Sequence, residues 1–401
     1  MEPPSPFALL PHCLDRSSPS SESVDRPRDD TTKSFLKPIA SSAGVFLLTD
    51  EANRPILLAH AQNIRRAVEH RLTPPDPDEK TKRADLASIT RRIHWVETFS
   101  PIETLWIHYR MAKALFPKTY REQIGFGAVW YIRIEPKAAF PRFTAVDRLK
   151  DDNATYIGPL AASRDAEAWI AMLEDAFDLC RYFNVLEKAP HGERCAYYDM
   201  GKCPAPCDGT ISMADYHAMI ESALAFTLGR SQARLDALRD QMQRAAAALE
   251  FEKAATIRRT IERAESTLGG SEYRLMTPTS RCNWLVIQVA SRPSRIASKQ
   301  RIRPFYVCHG VIEAGEPAAM ADAPIDAWIE ELRHRVQSPG ATHAADATAR
   351  GNALALVSRF LFQESKAAGL FLRADALPTS EHLGVMIQSK FTPPVRRPVD
   401  G

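Results

Sequence analysis

Four of the seven cysteines fall in one stretch, at Cys180, Cys195, Cys203 and Cys207, with the spacing C-x14-C-x7-C-x3-C. Thiolates are soft ligands, and four on a short segment suit an iron–sulfur cluster or zinc. Structural zinc sites generally use close C-x2-C or C-x4-C pairs, so two long, unequal gaps suit zinc less well. The apolar run AWIAMLEDAFDLC reads as a helix delivering Cys180, while Pro204 and Pro206 keep the last two cysteines in a loop. A second possible chemistry is phosphate contact. The loop SRPSRIASKQRIR carries Arg292, Arg295, Lys299, Arg301 and Arg303, and Arg65 and Arg66 form a smaller basic pair.

These residues need a scaffold, and the chain has room for one. Its 401 residues allow two or three domains, and its 45% hydrophobic and 25% charged content is that of a globular protein. A net charge of +3 means that any basic surface must be local. No apolar run is long enough to span a membrane, and the N-terminal residues lack the basic flank and apolar run of a secretory signal. An odd cysteine count in that setting points to a reducing cytoplasm.

Pattern reading gives a mixed α/β fold in several small units. Residues 1–35, rich in Pro, Ser, Asp and Arg, read as a disordered arm. Residues 36–150 begin with a hairpin, Val45–Leu48 against Ile56–Leu58, then a helix over Asn63–Leu72. The strand RIHWVETF leads to Ser100, a helix N-cap before IETLWIHYRMAKAL; AVWYIRIE alternates as a strand, and ATYIGP begins a turn. Residues 151–228 hold the cysteines and a helix closed by Gly229. Residues 229–268 form a helical hairpin: Leu235, Leu238, Met242, Ala245 and Leu249 share one face, and the phase jumps to Ala254, Ile257, Ile261 and Ala264. Residues 269–390 read as a small α/β segment and 391–401 as a tail.

Two stretches resemble the UvrC family of ABC excinucleases. CAYYDMGKC followed by PAPC is similar to its cysteine-rich region, and ALEFEKAATIRRTI to its UVR motif. The order GVF, LLAHAQNIRRAV and FSPIETLWIHYRMAK resembles the frame of its GIY-YIG nuclease domain. The resemblance implies a [4Fe-4S] cluster on the four cysteines, with zinc as the alternative. It also implies a UvrB-type partner gripping Leu249, Phe251, Ala254, Ile257 and Ile261, and contact with DNA. The catalytic positions carried over from the family are all substituted: the two tyrosines by Phe46 and Leu57, the glycine by Ala59, the arginine by Ala67 and the metal-binding glutamate by His108. Phosphodiester hydrolysis needs a positioned nucleophile, a hard-oxygen metal site and a cation for developing charge.

The expectation is therefore a nuclease-deficient excision-repair protein without catalytic residues, and without the family's RNase H-like and helix–hairpin–helix regions. One alternative is an active endonuclease with a rearranged, Mg2+-dependent site built on His60, His108 and Tyr109. Another is an Fe–S redox-sensing regulator.

Overall fold

In the computed structural model, the described residues are 6–16, 35–73, 85–127, 129–269, 277–292, 294, 296, 299–337, 346–362 and 369–392. Among the described residues the mixed α/β architecture consists of three antiparallel sheets dressed by helices.

The first sheet contains β1 (His12–Asp15), β2 (Gly44–Thr49), β3 (Pro55–Ala61) and β4 (Arg92–Glu97), in the order β1-β4-β2-β3. The expected disordered arm is corrected over residues 6–16: β1 pairs with β4, from His12 against Trp95 to Asp15 against Arg92, and buries Leu10 beside it. The rest of that arm lies outside the described residues, as does the 393–401 part of the tail. Helices cover both faces of this sheet. Helix α1 (Ile64–Leu72), capped by Asn63, packs with Phe46, Leu48, Ile93 and Trp95. Helix α2 (Pro101–Leu115) and the short α3 (Tyr120–Ile124) pack with Val45, Leu47 and Leu58 on the other side. Strict alternation along β2 sorts its side chains between these two cores. Gly44 is required at the start of β2: a Cβ there would collide with the Val96 carbonyl and lie 2.7 Å from Ile64 Cδ1.

Three strands form the second sheet: β5 (Trp130–Ile134), β6 (Thr144–Val146) and β7 (Thr155–Leu160), ordered β6-β5-β7. The expected boundary at 150/151 therefore moves to about residue 128, and the ATYIGP segment is a strand rather than a turn. Helix α4 (Ser163–Ala176) packs on this sheet. After the cysteine-rich loop, which includes the single turns α5 (Phe183–Leu186) and α6 (Ala196–Asp199), α7 (Met213–Thr227) completes the core.

Helices α8 (Ala233–Ala247) and α9 (Phe251–Gly269) form the hairpin. Its base is not separate. Leu235, Leu238, Ile261 and Ala264 are buried in the same core as Trp169, Leu173 and Phe226, so two of its turns find their partner within the chain.

The third sheet, β10-β9-β8-β12 with β11 on β9, uses β8 (Trp284–Val289), β9 (Arg301–Cys308), β10 (Val311–Ala314), β11 (Ala318–Ala319) and β12 (Leu370–Arg373). Helices α10 (Ile325–Gln337) and α12 (Ser380–Phe391) cover one face. The other face meets α11 (Ala347–Leu361) and, from the first unit, Ile102 and Trp106 of α2. Trp106 donates from Nε1 to the Ile312 carbonyl at 3.0 Å, so the first and third units share an apolar seam. No helix among the described residues is long and apolar enough to cross a membrane.

Candidate functional site

The cysteine loop is held at both ends. Cys180 follows α4, and its N–H donates to the Tyr216 hydroxyl at 3.3 Å. Gly192 N–H donates to the Cys207 carbonyl at 2.8 Å, closing the loop between them. Arg181 ties the two ends together: it donates to the Lys202 carbonyl at 3.2 Å, pairs with Asp175 at 2.5 Å and stacks over Tyr197. Cys180, Cys203 and Cys207 are buried, whereas Cys195 at the start of α6 is partly exposed.

The Cys180 thiol donates to the Tyr182 carbonyl at 3.5 Å. The neighbouring Cys203 thiol, with burial, pushes the Cys180 pKa up, while Cys180 pulls that of Cys203 down. Burial, followed by the Asp208 charge, raises Cys207. Among the described residues no group of three or more His, Cys, Asp or Glu side chains is arranged to hold a metal ion. The donor set is chemically right for an Fe–S cluster or zinc and is gathered in one loop region, but it is not set as a coordination sphere.

The substituted nuclease positions divide between the two faces of the first sheet. Phe46, Leu57, Ala59 and Ala67 all belong to the core under α1, and Phe46 is fully buried opposite Ala59 and Trp95. His108 lies on the other side of the sheet. It is 5% exposed, with its ring centroid 5.0 Å from that of His60, and neither ring nitrogen has a hydrogen-bond partner among the described residues. Burial, reinforced by His60, lowers its pKa to about 4, so the ring is neutral at pH 7. His60 is lowered as well, first by burial and then by Arg359 of α11. Tyr109 packs against Tyr120 and Phe126. The nearest acid in sequence, Glu103, faces the third unit, where it pairs with Arg303. The described residues thus set no carboxylate beside the two histidines as a metal site.

At the hairpin corner the backbone makes a tight cap. Leu249 N–H donates to the Ala246 carbonyl and Glu250 N–H to the Ala245 carbonyl, the paired bonds of a Schellman motif. This places Leu249 at φ +60, a conformation glycine usually fills. Leu249 is nevertheless 72% exposed, and Phe251 beside it is 65% exposed. Ala254 and Ile257 are partly covered and Ile261 is buried in the chain's own core, so of the five expected contact positions Leu249 and Phe251 are the exposed ones.

The basic loop also differs from expectation. Arg303 is paired with Glu103, Arg292 bonds Glu97 at 3.2 Å, and Arg301 donates to the Pro317 carbonyl. Arg65 donates to the Ile39 and Lys37 carbonyls, both at 2.8 Å. Arg66 and Lys299 are exposed, and Arg295 lies outside the described residues. Most of these cations are engaged in holding the fold.

A family model described as "UvrC/Cho excinuclease, middle domain" matches residues 129–226, spanning the second sheet, the cysteine loop and α7. A second, "UvrB/uvrC motif", matches residues 232–267, which are the hairpin. Residues 129–267 thus carry two matches to segments of UvrC-type proteins. The chain is 29% identical to UvrABC system protein C of Syntrophotalea carbinolica over 57% of this chain and 37% of that protein. The corresponding protein of Syntrophus aciditrophicus is 30% identical over 58% and 37%. That of Caldanaerobacter subterraneus is 28% identical over 70% and 44%. The chain therefore spans well under half the length of these UvrC relatives. No solved structure matches it.

The sequence did not reveal three features: the docking of the hairpin base on α4, the Arg181 clamp and the seam between the first and third units. Only the S-x-x-E signature at Ser100–Glu103 hinted at the last, by placing an acid at the start of α2.

Proposed function

We propose that this chain is an excision-repair scaffold whose first domain does not cut DNA. In this reading it joins a UvrB-type partner through the hairpin tip, contacts DNA and works in the cytoplasm. The observation that carries the reading is the separation of Phe46, Leu57, Ala59 and Ala67 from His108 by the sheet itself. Groups on opposite faces cannot act on one phosphodiester, and hydrolysis needs them within hydrogen-bonding reach of a shared substrate.

Cys180, Cys195, Cys203 and Cys207 would hold a [4Fe-4S] cluster, or zinc in its place, and such a group would tie the loop to α4 and α7. Its role here is structural, because the loop packs into the core that carries the hairpin.

Incision assays test the reading. Purified protein, alone and with UvrB, is incubated with damaged duplex and Mg2+ or Mn2+. No incision is expected from the first domain. Metal-dependent cutting abolished by His108→Ala would replace this reading with that of an endonuclease rebuilt on the adjacent His60 and His108 rings.

A further inference from the structure

Cations without carboxylate partners gather at another place. A cleft of about 530 Å³ opens where the second sheet, the end of α7 and the third unit meet. Its walls include Lys150, Arg230, Arg281 and Arg350, together with the Thr279, Ser280 and Tyr156 hydroxyls. Among the described residues Lys150, Arg230 and Arg281 form no ion pair, whereas Arg350 is paired with Asp151 at 2.9 Å. Asp152, the carboxylate that lines the cleft, is already neutralised by Arg133 at 2.9 Å and accepts from the Tyr156 hydroxyl at 3.1 Å. Asp375, near Arg281, is chelated by Arg373.

The backbone fixes where these cations stand. A second Schellman cap ends α7: Gly229, at φ +66, turns the chain, and Arg230 N–H bonds the Ala225 carbonyl, setting where the Arg230 side chain leaves. A single 3-10 turn, Thr279–Arg281, presents two hydroxyls and Arg281 in succession. Leu224, Leu228 and Pro278 supply an apolar wall. Guanidinium and ammonium groups beside hydroxyls are the chemistry that recognises phosphate oxygens, and an apolar wall suits a sugar or base face.

We propose that this cleft is a phosphate-binding groove for a single strand of nucleic acid, lying between the middle domain and the third unit. The proposal rests on the DNA contact in the reading above and names where that contact occurs. A strand held there would bridge both units and the root of the hairpin.

The test is fluorescence anisotropy of the full chain with a labelled single-stranded oligonucleotide across a salt series. The triple variant Lys150→Glu/Arg230→Glu/Arg281→Glu is compared with wild type and with Arg258→Glu on the exposed hairpin as a control. The triple variant should bind at least about tenfold more weakly, and the slope of log affinity against log salt should shrink by about 2, as expected for three lost phosphate contacts on a single strand. A neutral Lys150→Ala/Arg230→Ala/Arg281→Ala variant, with its thermal melt recorded, guards against misfolding from charge reversal. Unchanged affinity and slope in either folded variant would overturn the proposal. Displacement of the strand by equimolar inorganic phosphate would also overturn it, in favour of a free-anion site. UvrB pull-down and incision are measured on the same variants. Those readouts move only if the broader reading fails, so the two failures stay distinct.

Discussion

The Glu103 carboxylate on α2 receives the Arg303 guanidinium of β9, 200 residues away, while its other oxygen accepts the Phe99 N–H at 3.0 Å. One side chain thus caps a helix of the first unit and bolts that unit to the third. Glu103 is 6% exposed, and burial raises its pKa against the opposing pull of the Phe99 N–H and Arg303. Arg303→Ala would leave a buried carboxylate without its cation, and the expected loss is about 3 kcal/mol. Because the folded-state pKa lies above the unfolded value, the protonated acid favours the fold. Glu103 therefore contributes most below the unfolded carboxylate range, and that contribution falls as pH rises through the folded value. Removing Arg303 pushes that value higher, so the variant's deficit should be larger at pH 8 than at pH 5. Urea melts at the two pH values measure it, and an equal deficit at both would contradict the account.

His108 makes the opposite prediction. Its pKa is about 4 in the fold against about 6.5 unfolded, so it must remain neutral to stay buried. Stability is complete above pH 6.5 and falls as pH drops toward 4, by at most about 3 kcal/mol from this one ring. His108→Leu should flatten the stability curve across that window. Thermal melts between pH 4 and 7 would show it, and a variant as acid-labile as wild type would place the effect elsewhere.

Local signals in the sequence carried most of the elements. The polar turn at Asp50–Arg54, Ser100 as N-cap, Gly229 as terminator and the phase jump after Leu249 each mark a boundary through a few neighbouring residues, and each lies where expected. What a short window cannot contain was missed. Residues 6–16 look like loop because the strand that β1 pairs with, β4, lies about eighty positions on. The strand at Thr155–Leu160 holds its place by pairing with β5. The cysteines are plain in the sequence, but the split of the nuclease positions across the sheet depends on alternation and on which helix covers which face. The cations of the 292–303 loop read as free because their partners, Glu97 and Glu103, come from another unit.

Cys203 lies in a core shared with Cys180, α4 and α7, so it links the cysteine loop to the hairpin's support. If the four thiols hold a cluster, protein prepared without oxygen will show visible charge-transfer absorption and bound iron, both lost in Cys203→Ser. Melting should fall in the same variant, since the loop would lose its tie. Elemental analysis separates the outcomes: zinc in place of iron selects the alternative ligand, and neither metal in folded wild type would sink the assignment.

The hairpin tip sets stability against binding at one residue. A left-handed conformation costs a non-glycine residue about 1–2 kcal/mol, yet the corner holds leucine with its side chain in solvent. Leu249→Gly should therefore raise the unfolding free energy by about 1 kcal/mol, because the Schellman bonds from Leu249 and Glu250 remain and only the strain is relieved. The same change deletes apolar surface from the tip. If Leu249 and Phe251 are the anchors of a UvrB-type contact, Leu249→Gly should weaken it about tenfold or more, and Phe251→Ala should do so without any gain in stability. Chemical denaturation and titration calorimetry on both variants give the two readouts. A Leu249→Gly protein that is stabilised and still binds at full strength would show that the strained leucine serves no partner.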